Sequence, residues 1–189
     1  MNATLDHLHQ LYANTDDPWD FARSTYEQQK FIATRNALTH QSYGNALELG
    51  CGNGALARHL APLCARYTGL DAVERAVMAA RSLVPSATFI RACYPCPLPG
   101  DGYDLIILSE VLYFMTPDAI AHLARDLARV APRAEILCTT FLGDTELPLQ
   151  GGQSLDVFRA AVNPYLDLKV VADTGRYRID RGTMRGTVR

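Results

Sequence analysis

Nine residues constrain this chain more than any others: Ala46-Leu47-Glu48-Leu49-Gly50-Cys51-Gly52-Asn53-Gly54. The first four read as a short buried strand. The rest is a turn with glycine at every second position. Glycine adopts positive φ and lets a ligand approach the backbone. Asp71 follows about 20 residues later, at the end of a second apolar strand. An acid there can accept hydrogen bonds from both hydroxyls of a ribose. Turn and acid together predict a dinucleotide or nucleoside cofactor on an α/β sheet.

The flanking pattern supports such a sheet. Leu5, Leu8, Leu11 and Tyr12 share one face of a helix over 4–14. Asp16-Asp17-Pro18 breaks it, and the capping box Ser24-Thr25-Tyr26-Glu27 opens a second helix over 25–40. Strands are expected at 45–49, 66–70, 87–92, 104–108 and 134–140. Helices are expected at 54–64, where Pro62 forces a kink or an early end, and at 73–83. Residues 93–102, rich in Pro and Gly, predict an irregular crossover. Thr116-Pro117-Asp118 starts a helix with the inward stripe Ile120, Leu123, Leu127 and Val130. Ser154 is expected to cap a short helix to 162. Residues 168–180 read as a β-hairpin around Asp173-Thr174-Gly175, with a weakly ordered tail after Arg181. Alternating strands and helices imply a mostly parallel sheet with helices on both faces. The hairpin implies one antiparallel strand at or near an edge.

At 189 residues the chain suits a single domain with a full core. A net charge of −2 offers no footprint for nucleic acid or for an anionic membrane. There is no bilayer-length apolar run and no basic-then-apolar leader, so the expected location is cytoplasmic. The five cysteines are odd in number and scattered, which suits reduced thiols. Cys93-Tyr94-Pro95-Cys96 matches C-x-x-C, but Pro95 and Pro97 leave no helix start and no second ligand pair, so no metal site is expected.

Two cofactors compete for the glycine turn. Gly50-Cys51-Gly52-Asn53-Gly54-Ala55 satisfies the G-x-G-x-x-A of nicotinamide and flavin enzymes. With Glu48 it also satisfies the E-x-G-x-G-x-G that resembles class I methyltransferases dependent on S-adenosylmethionine (SAM). A carboxylate two residues before the turn suits the ammonium and sulfonium of SAM better than a pyrophosphate. The leading helices are similar to the lid of that class, and the hairpin resembles its reversed last strand. These features favour SAM, with S-adenosylhomocysteine as product and no metal.

The resemblance implies a Rossmann-like seven-stranded class I methyltransferase sheet behind an N-terminal helical lid. A single domain 1–189 then has a lid at 1–43, a SAM-binding core at 44–140, and a substrate loop, helix and hairpin at 141–189. It implies cofactor contacts from Glu48, Gly50, Gly52, Asn53, Asp71 and its neighbour Ala72. Gly50 and Gly52 pass the methionine part, Asn53 or the helix start binds its carboxylate, and Asp71 takes the ribose. Asp71 also reads as a helix N-cap. Relatives carry an Asp against the adenine where this chain has Cys93, so Tyr94 or a backbone group is expected to replace it.

The substrate side adds Glu110 and Tyr113, in the stretch that leaves the fourth strand at its carboxyl end, where open α/β sheets bind ligands. Tyr113 and Phe114 read equally well as packing under the next helix. Asp17-Pro18-Trp19, Tyr26-Glu27, Ala46–Cys51 and Glu110-Val111-Leu112-Tyr113 resemble the NodS group of nodulation N-methyltransferases, from about residue 10 to 140. That resemblance implies methylation of the amine of a deacetylated amino sugar in a chitooligosaccharide. Methyl transfer is an in-line displacement at carbon, so catalysis rests on positioning and on a neutral amine. Glu110 can hydrogen-bond that nitrogen or take its proton. Trp19, Arg23, Tyr26 and Lys30 are candidates for the lid wall, although Glu27 and Lys30 also read as an i,i+3 surface pair. His59 and His122 read as surface residues, with His40 a reserve base. Alternatives are O-methylation of a hydroxylated metabolite and a silent SAM-binding domain.

Overall fold

The computed structural model describes residues 3–186. In chain order the elements are α1 (Ala3–Leu11), α2 (Thr25–Asn36), β1 (Ala46–Leu49), α3 (Ala57–Leu60), β2 (Tyr67–Asp71), α4 (Glu74–Leu83), β3 (Thr88–Arg91), β4 (Leu105–Ser109), α5 (Pro117–Val130), β5 (Glu135–Phe141), α6 (Gly151–Val162), β6 (Lys169–Asp173) and β7 (Tyr177–Thr183). The seven strands form one sheet in the order β3-β2-β1-β4-β5-β7-β6. β1–β2, β2–β3 and β4–β5 pair in parallel, and β7 runs antiparallel to both β5 and β6. The sheet is thus mostly parallel with one reversed strand next to the edge.

The chain divides into two compact units, the first ending at Cys93 and the second beginning at Tyr94. In the first, β1 is buried throughout, as are Leu60, Leu70, Val77 and Phe89. In the second, Leu105–Leu108 of β4 and Ile136–Cys138 of β5 are fully buried, as runs covered on both faces should be. The stripe Ile120, Leu123, Leu127 and Val130 of α5 is buried, at about 1.5–3 kcal/mol for each large side chain.

Local chemistry explains where several elements begin and end. Ser24 accepts from the Glu27 N–H and starts α2, and Thr116 accepts from the Ala119 N–H and starts α5. α3 lasts one turn before Pro62 converts it to a 3-10 turn over Ala61–Leu63, the early end the proline predicts. Several boundaries differ from the sequence expectation: α1 ends at Leu11 and not 14, α2 at Asn36 and not 40, and α3 begins at Ala57 and not 54. Ser154 does not cap α6: it lies inside the helix and donates to the Gly151 carbonyl. The cap is Gln150, paired reciprocally with Gln153, a glutamine version of the capping box that a search for Ser or Thr passes over. β7 continues past Arg181 to Thr183, because its pairing with β5 extends to Glu135. The last three residues of the expected tail lie outside the described residues.

Candidate active site

In the first unit β1 delivers the chain into the glycine turn. Gly50, Gly52 and Gly54 have φ of 76°, 52° and 84°, in the left-handed region. The Gly50 N–H stays on the sheet by donating to the Leu70 carbonyl at 2.8 Å. Asp71 then ties three segments together. One carboxylate oxygen accepts from the Gly52 N–H at 2.9 Å, and the other accepts from the Val73 N–H at 2.9 Å. It therefore links the turn to the start of α4 while remaining half-buried. Burial raises its pKa, against the opposing effect of those N–H donors. Ala72 is half-buried beside it, and its carbonyl accepts from Arg91.

Glu48 lies inside the sheet, 1 % exposed, and accepts from the Tyr67 hydroxyl at 2.8 Å. Burial pushes its carboxyl up to about 8, opposed by that hydrogen bond and assisted by the charge of Asp71. Cys51, between these two acids, is a buried thiol pushed up by burial first and then by Glu48 and Asp71.

The chain before the turn is bolted over it. Asn53 donates from Nδ2 to the Asp16 carbonyl at 3.1 Å and accepts from the Ala55 N–H, so its amide is engaged within the protein. Arg75 on α4 donates to the carbonyls of Tyr12 and Ala13. Asp17 accepts from the N–H groups of Phe21 and Ala22 and shapes the bend before α2. An aromatic chain runs through this segment: Tyr12 meets Trp19 edge-on at 5.6 Å, Trp19 stacks on Phe21 at 5.5 Å, and Phe21 meets Phe31 of α2 at 5.5 Å. The Tyr12 hydroxyl is buried with no hydrogen-bond partner among the described residues. A Cβ built on Gly52 would stand 3.4 Å from it.

The expected lid wall is divided. Trp19 belongs to the aromatic chain, whereas Arg23 is exposed and pairs with Asp20 at 3.3 Å. Tyr26 lies under the Lys30 ammonium, 5.1 Å from the ring centre. The pairing of Glu27 with Lys30 is not a surface pair. The two meet at 2.7 Å with side chains 12 % and 2 % exposed. Sequence spacing gave their contact but not their burial. Tyr12 and Arg75 were missed as site residues. Tyr12 read as one more apolar member of a helix face, and the hydroxyl on that stripe was the available signal.

In the second unit Glu110 follows β4, with φ of 52°, a conformation uncommon outside glycine. Its N–H donates to the Thr139 carbonyl of β5 at 2.8 Å, which holds it at the carboxyl end of the sheet strands. Tyr113 is half-buried in a 3-10 turn over Leu112–Phe114, its ring 4.9 Å from that of Phe114. The Tyr94 hydroxyl donates to Asp126 of α5 at 2.9 Å, and its ring meets His122 edge-on. Cys93, at the end of the first unit, is exposed. His59 is half-buried against Phe31, with its pKa lowered by burial and by nearby arginines. Among the described residues no group of three or more His, Cys, Asp or Glu is placed to hold a metal, and no helix is long and apolar enough to cross a membrane.

The family model of nodulation protein S (NodS) matches residues 3–130. Nodulation protein S of Bradyrhizobium diazoefficiens is 33 % identical over 129 residues, 64 % of this chain and 61 % of that protein. The Sinorhizobium fredii protein is 34 % identical over 112 residues, 57 % and 51 % of the two chains. The chain thus spans between half and six-tenths of these relatives' length. Among solved structures, N-methyltransferase NodS from Bradyrhizobium japonicum WM9, in complex with S-adenosyl-L-homocysteine, superposes with a TM-score of 0.80 at 20 % identity, covering 98 % of this chain and 100 % of that one. Magnesium protoporphyrin IX methyltransferase from Synechocystis gives 0.68 at 18 % identity, covering 97 % and 95 %. Likeness at these identities shows the fold, that of the class I methyltransferases.

Proposed function

The chain belongs to the nodulation protein S (NodS) family, and from that premise we propose that it is a SAM-dependent methyltransferase acting on the amine of a small molecule, an amino sugar of the deacetylated chitooligosaccharide kind. The observation that carries the reading is the carboxylate bonded to the glycine turn. Asp71 accepts from the Gly52 N–H there, whereas Glu48 is buried on Tyr67 and keeps its proton. A pyrophosphate at this turn would face the Asp71 carboxylate. A cationic cofactor meets a group of opposite charge. The residues present therefore fit SAM, which when bound supplies an electrophilic methyl group on a sulfonium.

The roles of the chain's own residues follow. Asp71 keeps lone pairs beyond its backbone partners, which accept from ribose hydroxyls. Gly50 and Gly52 keep the backbone bare where the methionine part lies. Asn53 acts indirectly, by holding the segment at Asp16 against the turn. Tyr94 serves as an anchor for its loop through Asp126, and the adenine contact is assigned to the backbone about Cys93. Glu110 is assigned to the acceptor: its carboxylate hydrogen-bonds the amine and takes the proton released on methylation. The left-handed backbone at Glu110 supports this role, since strained conformations cluster at functional sites. Tyr113 is assigned to the wall of the acceptor pocket.

Labelled SAM incubated with deacetylated chitooligosaccharides, other amines and phenols tests the proposal. The expected result is label on the amino sugar together with S-adenosylhomocysteine. Label on phenols alone would move the reading to O-methylation. Binding of NAD without S-adenosylhomocysteine would overturn it.

A further inference from the structure

The Tyr12 hydroxyl has no task within the fold. Its ring is 3 % exposed and packs with Val73, Ala76 and Leu8, so the ring alone accounts for the core contact. The hydroxyl is buried without a partner, and leaving a buried hydroxyl unpaired is costly. The residue is also held firmly. Arg75 grips its carbonyl, its N–H donates to the Leu8 carbonyl at 3.1 Å, and Trp19 closes on the ring. A fixed, unpaired, buried polar atom next to a bare backbone position is a ligand contact in waiting. That position is Gly52, where any β-carbon would come within 3.4 Å of the hydroxyl.

We propose that the Tyr12 hydroxyl binds the amino-acid end of the cofactor seated on the Gly52 turn. The inference rests on the SAM reading and adds to it a residue that the turn motif does not contain. A phenol can donate one hydrogen bond and accept two, which suits a group carrying both carboxylate and ammonium. Burial, and after it the charge of Asp71 and, more weakly, those of Asp17 and Asp16, raise the Tyr12 pKa, so the phenol stays protonated and able to donate. The same acids attract an ammonium to its side of the turn. The nucleoside end lacks this pairing of charges.

Calorimetry on the intact chain separates the two ends. S-adenosylhomocysteine carries the amino-acid end and methylthioadenosine lacks it. Tyr12→Phe is expected to weaken S-adenosylhomocysteine about tenfold and to leave methylthioadenosine unchanged. The ligand-free variant should melt no lower than wild type, since it loses only an unpaired hydroxyl. Equal weakening of both ligands would assign the hydroxyl to the nucleoside and overturn the proposal. Unchanged binding of S-adenosylhomocysteine would overturn it while leaving the SAM reading intact. A lower melting temperature would make the hydroxyl a structural bond and overturn it too. If wild type binds no S-adenosylhomocysteine, the SAM reading fails and this inference falls with it.

Discussion

Glu48 shows how one buried side chain couples the site to pH. Its carboxyl is pushed from 4.5 up to about 8, chiefly by burial. Between these values the folded chain holds a proton that the unfolded chain has released. Stability therefore falls as pH rises through this window and levels off above it. Glu48→Gln keeps an acceptor for Tyr67 and cannot ionise. Urea titrations should find it about as stable as wild type near pH 4.5, and more stable near pH 8.5 by on the order of 5 kcal/mol. Asp71 has a different signature, because it serves both turn and ligand. Asp71→Ala should weaken S-adenosylhomocysteine about tenfold or more in calorimetry, through lost charge-assisted bonds and a released Gly52 N–H. Unchanged affinity would remove the ribose role. Glu110→Gln should lower turnover far more than cofactor affinity, which single-turnover assays beside equilibrium binding would resolve.

Elements followed their sequence signals where the signal was local. Thr116, Pro117 and Asp118 open α5 as their order predicts. Thr116→Ala should cost about 1 kcal/mol in thermal melts through loss of the Ala119 contact. The glycine turn was legible as a turn, but the reason for its third glycine was not. Gly54 has φ of 84°, and a Cβ there would stand 3.0 Å from the Ala80 Cα of α4. Gly54→Ala should destabilise by about 2–3 kcal/mol, from the left-handed backbone and the clash together. α6 went the other way. Its start depends on which polar side chain reaches the free N–H groups, and the glutamines at 150 and 153 outcompete Ser154. Glu27 and Lys30 likewise stand at a helical spacing that fits exposed and buried pairs alike, and only their packing settles which.

At the scale of the molecule, the family match ends at residue 130, and the chain beyond it is held by contacts of its own. Asp180 on β7 is fully buried and takes Arg159 of α6 at 2.6 Å and Arg178 at 2.7 Å. Asp180→Ala strands two guanidinium groups and should cost about 3 kcal/mol in denaturant titration, with Asp180→Asn costing less. The sequence by itself determined the alternation of strands and helices, the glycine turn with its two acids, and the reversed hairpin. Each of these is written in short-range periodicity, in backbone freedom or in charge, which act over a few residues. Only the tertiary structure decided that Glu48 is buried on Tyr67, that Asn53 and Tyr94 are engaged with Asp16 and Asp126, and that the Tyr12 hydroxyl stands over Gly52. Those facts depend on residues brought together from 19 to 40 positions apart. Close packing sets such distances, and no local pattern encodes them.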